Sequence, residues 1–208
     1  MTLSPDGKWA LALRSGPPPR LVLLPTGPGE ERLLAPSDLG ELYSATWFPD
    51  GRRILFVAAG RDGQPRSYTQ DIDGGTPQIM GDASEQALLV SPDGRLVAGI
   101  GSDGYRLRPA AGGAPMPIRG AFIGDELVQW SADGRFLYVR GPGDAAFEFS
   151  RIELATGRRQ IWCKVAAADP VGFIGLQLAA VRMTPDGMSF VYTYWKTLTE
   201  MYLVDGLQ

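Results

Sequence analysis

The chain has 208 residues, 44% hydrophobic and 21% charged, with a formal net charge of −3. That is ordinary globular composition, large enough for a substantial core, and the charge is too small to point to nucleic acid. It contains no histidine and one cysteine, Cys163, which excludes Ser-His-Asp and Cys-His catalysis, the common zinc and iron sites, and an internal disulfide.

In chain order, one short turn recurs five times, each time ahead of an apolar run. The copies are Ser4-Pro5-Asp6-Gly7, Phe48-Pro49-Asp50-Gly51, Ser91-Pro92-Asp93-Gly94, Ser131-Ala132-Asp133-Gly134 and Thr184-Pro185-Asp186-Gly187. The aspartates follow one another at steps of 44, 43, 40 and 53 residues. A period of roughly 40–50 residues marks a repeat architecture. A second turn, at Gly27, Gly74, Gly112, Gly157 and Gly206, trails the aspartates by 21, 24, 19, 24 and 20 residues.

The second repeat shows the pattern most clearly. Tyr43 to Trp47 reads as a first strand. Pro49 pre-sets φ in the turn, Asp50 tolerates its bridge conformation and Gly51 suits the exit. Arg53 to Ala58 is an apolar run of strand length, expected to be buried on both faces. Arg66 to Asp71 alternates as a third strand, and Thr76 to Met80 gives a short fourth. Second strands are expected at Trp9–Leu13, Leu96–Ile100, Phe136–Arg140 and Ser189–Tyr194. Third strands are expected at Arg20–Leu24, Tyr105–Pro109, Phe147–Leu154 and Met201–Asp205. Four short strands per unit, repeated, make an all-β propeller of antiparallel blades. The blades fall at about 1–36, 41–81, 86–120, 126–164 and 176–208, in a single domain spanning 1–208.

The x-[Ser/Thr]-Pro-Asp-Gly-[Lys/Arg]-x-apolar pattern resembles the TolB-type, WD40-like propeller repeat. Thr184 to Tyr194 with Leu198 to Leu207, and the opening Ser4 to Leu13, are similar to the propellers fused behind bacterial Ser/Thr protein kinases. The resemblance covers essentially the whole chain. It implies the sensing or interaction half of such a protein, extracytoplasmic if it sits behind a membrane-anchored kinase and cytoplasmic otherwise. No kinase motif is present, so kinase activity does not carry over.

The first repeat has only Met1 to Leu3 ahead of its turn, and the fifth stops after its third strand. The expectation is an incomplete ring whose open blade edges favour self-association. No signal peptide or membrane-length apolar run is visible.

Among other motifs, Asp71-Ile72-Asp73-Gly74 lacks the remaining calcium ligands and reads as a turn. Gly141 to Asp144 reads as a loop. Trp47 and Trp130, each just ahead of a turn, read as blade packing rather than as a stacking platform.

The loops linking consecutive blades, about 35–44, 80–87, 119–127 and 164–177, emerge on one face of a propeller. They carry Asp38, Glu41, Asp82, Glu85, Asp125, Glu126 and Asp169 against Arg119 and Lys164. These carboxylates are the candidate ligand face, suited to a cationic peptide or small ligand.

The sequence therefore predicts a non-catalytic interaction or sensing module with a protein or peptide partner and no cofactor or metal. The alternatives are a gating propeller of a peptidase-like enzyme, which would need a hydrolase domain, and a truncated remnant of a kinase-fused propeller.

Overall fold

The computed structural model describes residues 1–16, 18–34, 39–82, 85–142, 146–166, 182–184 and 186–191. Among them there is no helix. The first blade is β1 (Thr2–Leu3), β2 (Trp9–Arg14), β3 (Arg20–Pro25) and β4 (Arg32–Leu34). The second is β5 (Leu42–Trp47), β6 (Arg53–Ala59), β7 (Pro65–Asp71) and β8 (Gly74–Met80). The third is β9 (Gln86–Val90), β10 (Leu96–Gly101), β11 (Gly104–Pro109) and β12 (Met116–Pro117). The fourth is β13 (Glu126–Trp130), β14 (Phe136–Arg140), β15 (Ala146–Glu153) and β16 (Arg159–Ala166). β17 (Arg182–Met183) and β18 (Phe190–Val191) belong to the fifth.

Each of the first four blades is an antiparallel sheet in sequence order. Among the described residues no strand pairing closes the arc. The expected third strand at Met201–Asp205 lies outside the described residues.

The three serine copies of the recurring turn share one internal wiring. The Ser4 hydroxyl donates to Asp6 Oδ1 (2.7 Å) and accepts from the Trp9 N–H (2.9 Å). Asp6 Oδ1 also accepts from the Lys8 N–H (3.1 Å). The same three bonds recur at Ser91, Asp93, Arg95 and Leu96, and at Ser131, Asp133, Arg135 and Phe136. The glycines sit at φ of +71, +66, +70, +69 and +72° in the five copies. Only glycine occupies that region without strain.

The turns also stack on one another. A Cβ built on Gly51, Gly94 or Gly134 would lie 3.8, 3.5 or 3.9 Å from the Cδ of Pro5, Pro49 or Pro92, each in the preceding blade's turn.

Apolar cores lie between successive blades. Leu11, Leu21, Leu23 and Leu34 of the first blade meet Trp47, Ile54, Phe56 and Tyr68 of the second. Phe48 and Leu55 meet Ala87 and Val97 of the third. Leu107 and Ile118 of the third meet Leu127, Trp130, Leu137 and Ile152 of the fourth. The expectation that Arg53 to Ala58 is buried on both faces holds from Ile54 onward, because β6 is covered by a blade on either side, whereas Arg53 is exposed beside the turn. Trp47 and Trp130 are buried, at 7% and 6% exposure, as blade packing requires. The Trp47 indole N–H donates to the Thr2 carbonyl (3.2 Å), whereas that of Trp130 has no partner among the described residues.

Trp47→Ala and Trp130→Ala should each cost about 3–5 kcal/mol in urea unfolding. Trp47→Phe should be the costlier phenylalanine change, because it alone leaves a carbonyl without its donor. An unfolding midpoint unchanged in either alanine variant would contradict the packing assignment.

The turn hydroxyls hold the Asp6, Asp93, Asp133 and Asp186 carboxyls below the usual range, with backbone N–H donors adding to the effect. A carboxyl lowered on folding contributes stability above its unfolded pKa and loses it as pH falls through the folded value. Stability should therefore decline below about pH 4. The Asp93→Asn and Asp133→Asn double variant should be less stable at pH 7 and lose less on acidification. Parallel denaturation midpoints for variant and wild type from pH 7 to pH 3 would refute this role.

Candidate functional site

The first strand of every blade is innermost. β1 lies beside β5, β5 beside β9, β9 beside β13, and β13 beside β17. In β5, β9 and β13 the pairing skips one residue, Tyr43, Leu88 and Val128 respectively. A bulge bends its strand and steepens the twist. Here it re-aims the inner strand at each blade's axial edge.

The inner strands line a channel of about 840 Å³, open to solvent, with Thr46, Leu88, Leu89, Val128 and Gln129 on its walls. Among the described residues, Asp125 and Glu126 are the charged residues lining it, and no lysine or arginine does. The inner strands β5, β9 and β13 each run from a linking loop to the blade's Asp-Gly turn. The linking loops therefore gather at one end and the turns at the other.

At the loop end, the acidic residue eight positions before the turn aspartate is Glu85 in the third blade and Asp125 in the fourth. The backbone of each is held by the preceding blade. The Ser67 hydroxyl donates to the Glu85 carbonyl (3.2 Å) and accepts from the Ala87 N–H (2.8 Å). The Tyr105 hydroxyl donates to the Asp125 carbonyl. Burial pushes the Tyr105 phenol up, and the Asp125 and Glu126 carboxylates add to the shift.

Their side chains are held by their own blade. Arg108 Nε donates to Glu85 at 3.0 and 3.2 Å, with Asp82 at 3.4 Å on the same guanidinium. Glu85, as acceptor in these bonds, raises the already high pKa of Arg108. Arg159 makes a fork on Asp125, at 2.6 and 3.0 Å, and the Asp125 side chain is 2% exposed.

Of the seven candidate carboxylates, Glu85 and Asp125 are thus buried in ion pairs. Asp82 shares Arg108, Glu126 pairs with Arg140, and Glu41 is exposed. Asp38 and Asp169 lie outside the described residues. Sequence reasoning missed Arg108, Arg140 and Arg159. The one available signal was an arginine inside a strand otherwise expected to be apolar.

None of the family models and none of the curated proteins compared with the chain matches it. Solved structures do. TolB of Agrobacterium tumefaciens superposes with a TM-score of 0.68 at 18% identity, over 94% of this chain and 69% of its own. TolB of Acinetobacter baumannii gives 0.67 at 17% identity, over 93% and 53%. The fold is that of a TolB-type β-propeller. An oligogalacturonate lyase in complex with manganese also superposes, with a TM-score of 0.63 at 14% identity over 89% of this chain and 55% of its own. At these identities the likeness is one of fold alone, and the fold hosts an enzyme as well as TolB. The chain spans about half the length of the Acinetobacter protein and of the lyase.

Arg108→Met should destabilise by about 3–5 kcal/mol, because it leaves Glu85 buried without its partner. Arg108→Met combined with Glu85→Leu should recover most of that loss. Urea unfolding checks both, and a single variant as stable as wild type would remove the pair from the account.

Proposed function

We propose that the chain is a non-catalytic binding module that holds a basic peptide segment at the loop end of its channel. The observation that carries this reading is the channel itself. Its volume falls within the range of ligand sites, its walls are largely apolar, and among the described residues the charges lining it are two carboxylates at one mouth. Ion pairing to Arg140 and Arg159 fixes these carboxylates in place; Asp125 is buried, and a ligand cation would share Glu126, whose side chain is 48% exposed. Glu41 and Asp82, in the neighbouring blade-linking loops, add the same sign.

The composition supports a binding role over catalysis. With no histidine anywhere, the chain lacks the usual general base near neutral pH. Among the described residues no three His, Cys, Asp or Glu side chains converge as a metal site would require. The resemblance to kinase-fused propellers adds a sensory setting for such binding.

The test is a titration of basic and acidic peptides of equal length at about 0.1 M and 1 M salt. The Debye length falls from about 10 Å to about 3 Å between them. The basic peptide should bind more tightly at low salt and lose that advantage at high salt. Combining Glu41→Gln, Asp82→Asn and Glu126→Gln should weaken it severalfold without unfolding the chain. Equal affinity for the two peptides at low salt would end this reading.

A further inference from the structure

The channel has two unlike walls. Thr2, Ser44 and Thr46, from the first and second blades, carry hydroxyls to it. Leu88, Leu89 and Val128, from the third and fourth, carry aliphatic side chains. Each set sits on adjacent inner strands, because β1 lies beside β5 and β9 beside β13. One side of the channel is therefore hydrogen-bonding and the other apolar.

The polar groups on the apolar side are engaged or buried. The Gln129 amide N–H donates to the Thr184 carbonyl (2.9 Å), and the Tyr105 hydroxyl to the Asp125 carbonyl. The Trp130 indole N–H has no partner but is buried, and the ring packs in the core between the third and fourth blades. On the other side, Thr2 Oγ1 is buried with no hydrogen-bond partner among the described residues. Buried hydroxyls seldom lack one, so that side has hydrogen-bonding capacity the described residues do not use.

The mouth adds a spacing. Glu126 is paired with Arg140, yet its side chain is 48% exposed. It opens β13, with Val128 two residues further in. Strand residues rise about 3.3 Å each, so Glu126 and Val128 stand about 7 Å apart along the wall. An extended peptide has the same rise and turns alternate side chains to one side. Its residues i and i+2 match that spacing.

We propose that the channel selects an extended segment with lysine or arginine at the loop mouth and an apolar side chain two residues further in. The basic side chain faces Glu126, and Leu88, Leu89 and Val128 cover the apolar one. The residue between them turns to the first and second blades, where a small side chain and the segment's own amides meet Ser44 and Thr46. The proposal rests on the binding-module reading and specifies what that module reads. A carboxylate alone accepts any cation. The apolar wall beyond it makes the second position decide which cationic segment stays.

Arg182 holds the register position of Gln129 in the fifth blade, each two residues before the first residue of its turn. It would draw a carboxylate to the inner position, so an acidic peptide is included to detect it.

The experiment titrates short capped peptides against the full chain at about 0.1 M and 1 M salt. Their centres read Lys-Ser-Leu, Lys-Leu-Ser, Lys-Ser-Ser, Lys-Ser-Asp and Asp-Ser-Leu, each made in both chain directions. In one direction, Lys-Ser-Leu should bind about tenfold more tightly than the other lysine peptides. Val128→Thr keeps the side chain's shape and should reduce that preference severalfold. Ser44→Ala with Thr46→Val should weaken all the lysine peptides alike and leave the preference intact. The wild-type series decides alone should either variant fail to fold. Equal affinity for Lys-Ser-Leu and Lys-Ser-Ser in wild type overturns the proposal. So does a preference unaltered in folded Val128→Thr, or one for Lys-Ser-Asp that Arg182→Gln removes.

The two readings fail separately. A salt-dependent preference for Lys-Ser-Leu over Asp-Ser-Leu, with no preference for leucine at the inner position, leaves the binding-module reading standing and removes this one. Equal affinity for those two peptides at low salt ends the earlier reading, and the basic position of this motif with it.

Discussion

A buried serine hydroxyl that donates to an aspartate while accepting a backbone N–H is the interaction on which the architecture depends. It occurs at Ser4, Ser91 and Ser131, and Thr184 makes the equivalent bonds in the fifth repeat. The hydroxyl fixes the crossing from inner strand to second strand, where both chains are too short to set their own register. The glycine, at a positive φ that other residues rarely adopt, then lets the chain reverse, and in three copies the preceding turn's proline lies in ordinary contact beside it. One four-residue unit thus fixes the turn within a blade and touches the turn of its neighbour.

At the other end of each inner strand the constraint is electrostatic. Glu85 and Asp125 are clamped twice, through the carbonyl by the preceding blade and through the carboxylate by their own. A buried ion pair contributes less net stability than its close contacts suggest, because both charges lose water. Its stronger effect is positional. With one end held by the turn and the other by the clamp, the bulges at Leu88 and Val128 are confined between two fixed points. The channel wall therefore owes its shape to both ends at once.

These two constraints differ in how far the sequence discloses them. The turn is local: donor, acceptor and glycine fall within six residues, and they repeat five times, so the second strands of the first four blades could be placed within a residue or two from the spacing alone. The packing of Trp47 and Trp130 followed from the same register. The clamps are not local. Arg108 is 23 residues from Glu85, and Arg159 is 34 from Asp125. The arginine comes from β11 in one blade and β16 in the other, so no fixed spacing announces it. The acidic residues were therefore visible while the arginines that bind four of them were not. The exposure of Phe122 and Ile123 in the loop between the third and fourth blades was hidden for a related reason, since exposure on a loop depends on which side chains fold back.

The departures from the repeat show the same physics under substitution. In the second copy Phe48 replaces the serine and cannot accept the strand's first N–H. Asp50 Oδ1 accepts it instead, taking the Arg53 N–H at 3.1 Å and the Arg52 N–H at 2.9 Å, while Oδ2 binds the Arg53 guanidinium. The phenyl ring, freed from turn duty, fills the core between the second and third blades. In the fourth copy Ala132 replaces the proline that would have covered the next glycine. Gly187 lies instead against the Tyr138 hydroxyl, and its carbonyl accepts the Trp162 indole N–H (3.0 Å). In both cases the group lost was a specific contact, and a neighbour of different chemistry supplies its equivalent. What the repeat preserves is the set of satisfied backbone groups and the spacing between blades, and residue identity varies wherever another side chain can meet those two demands.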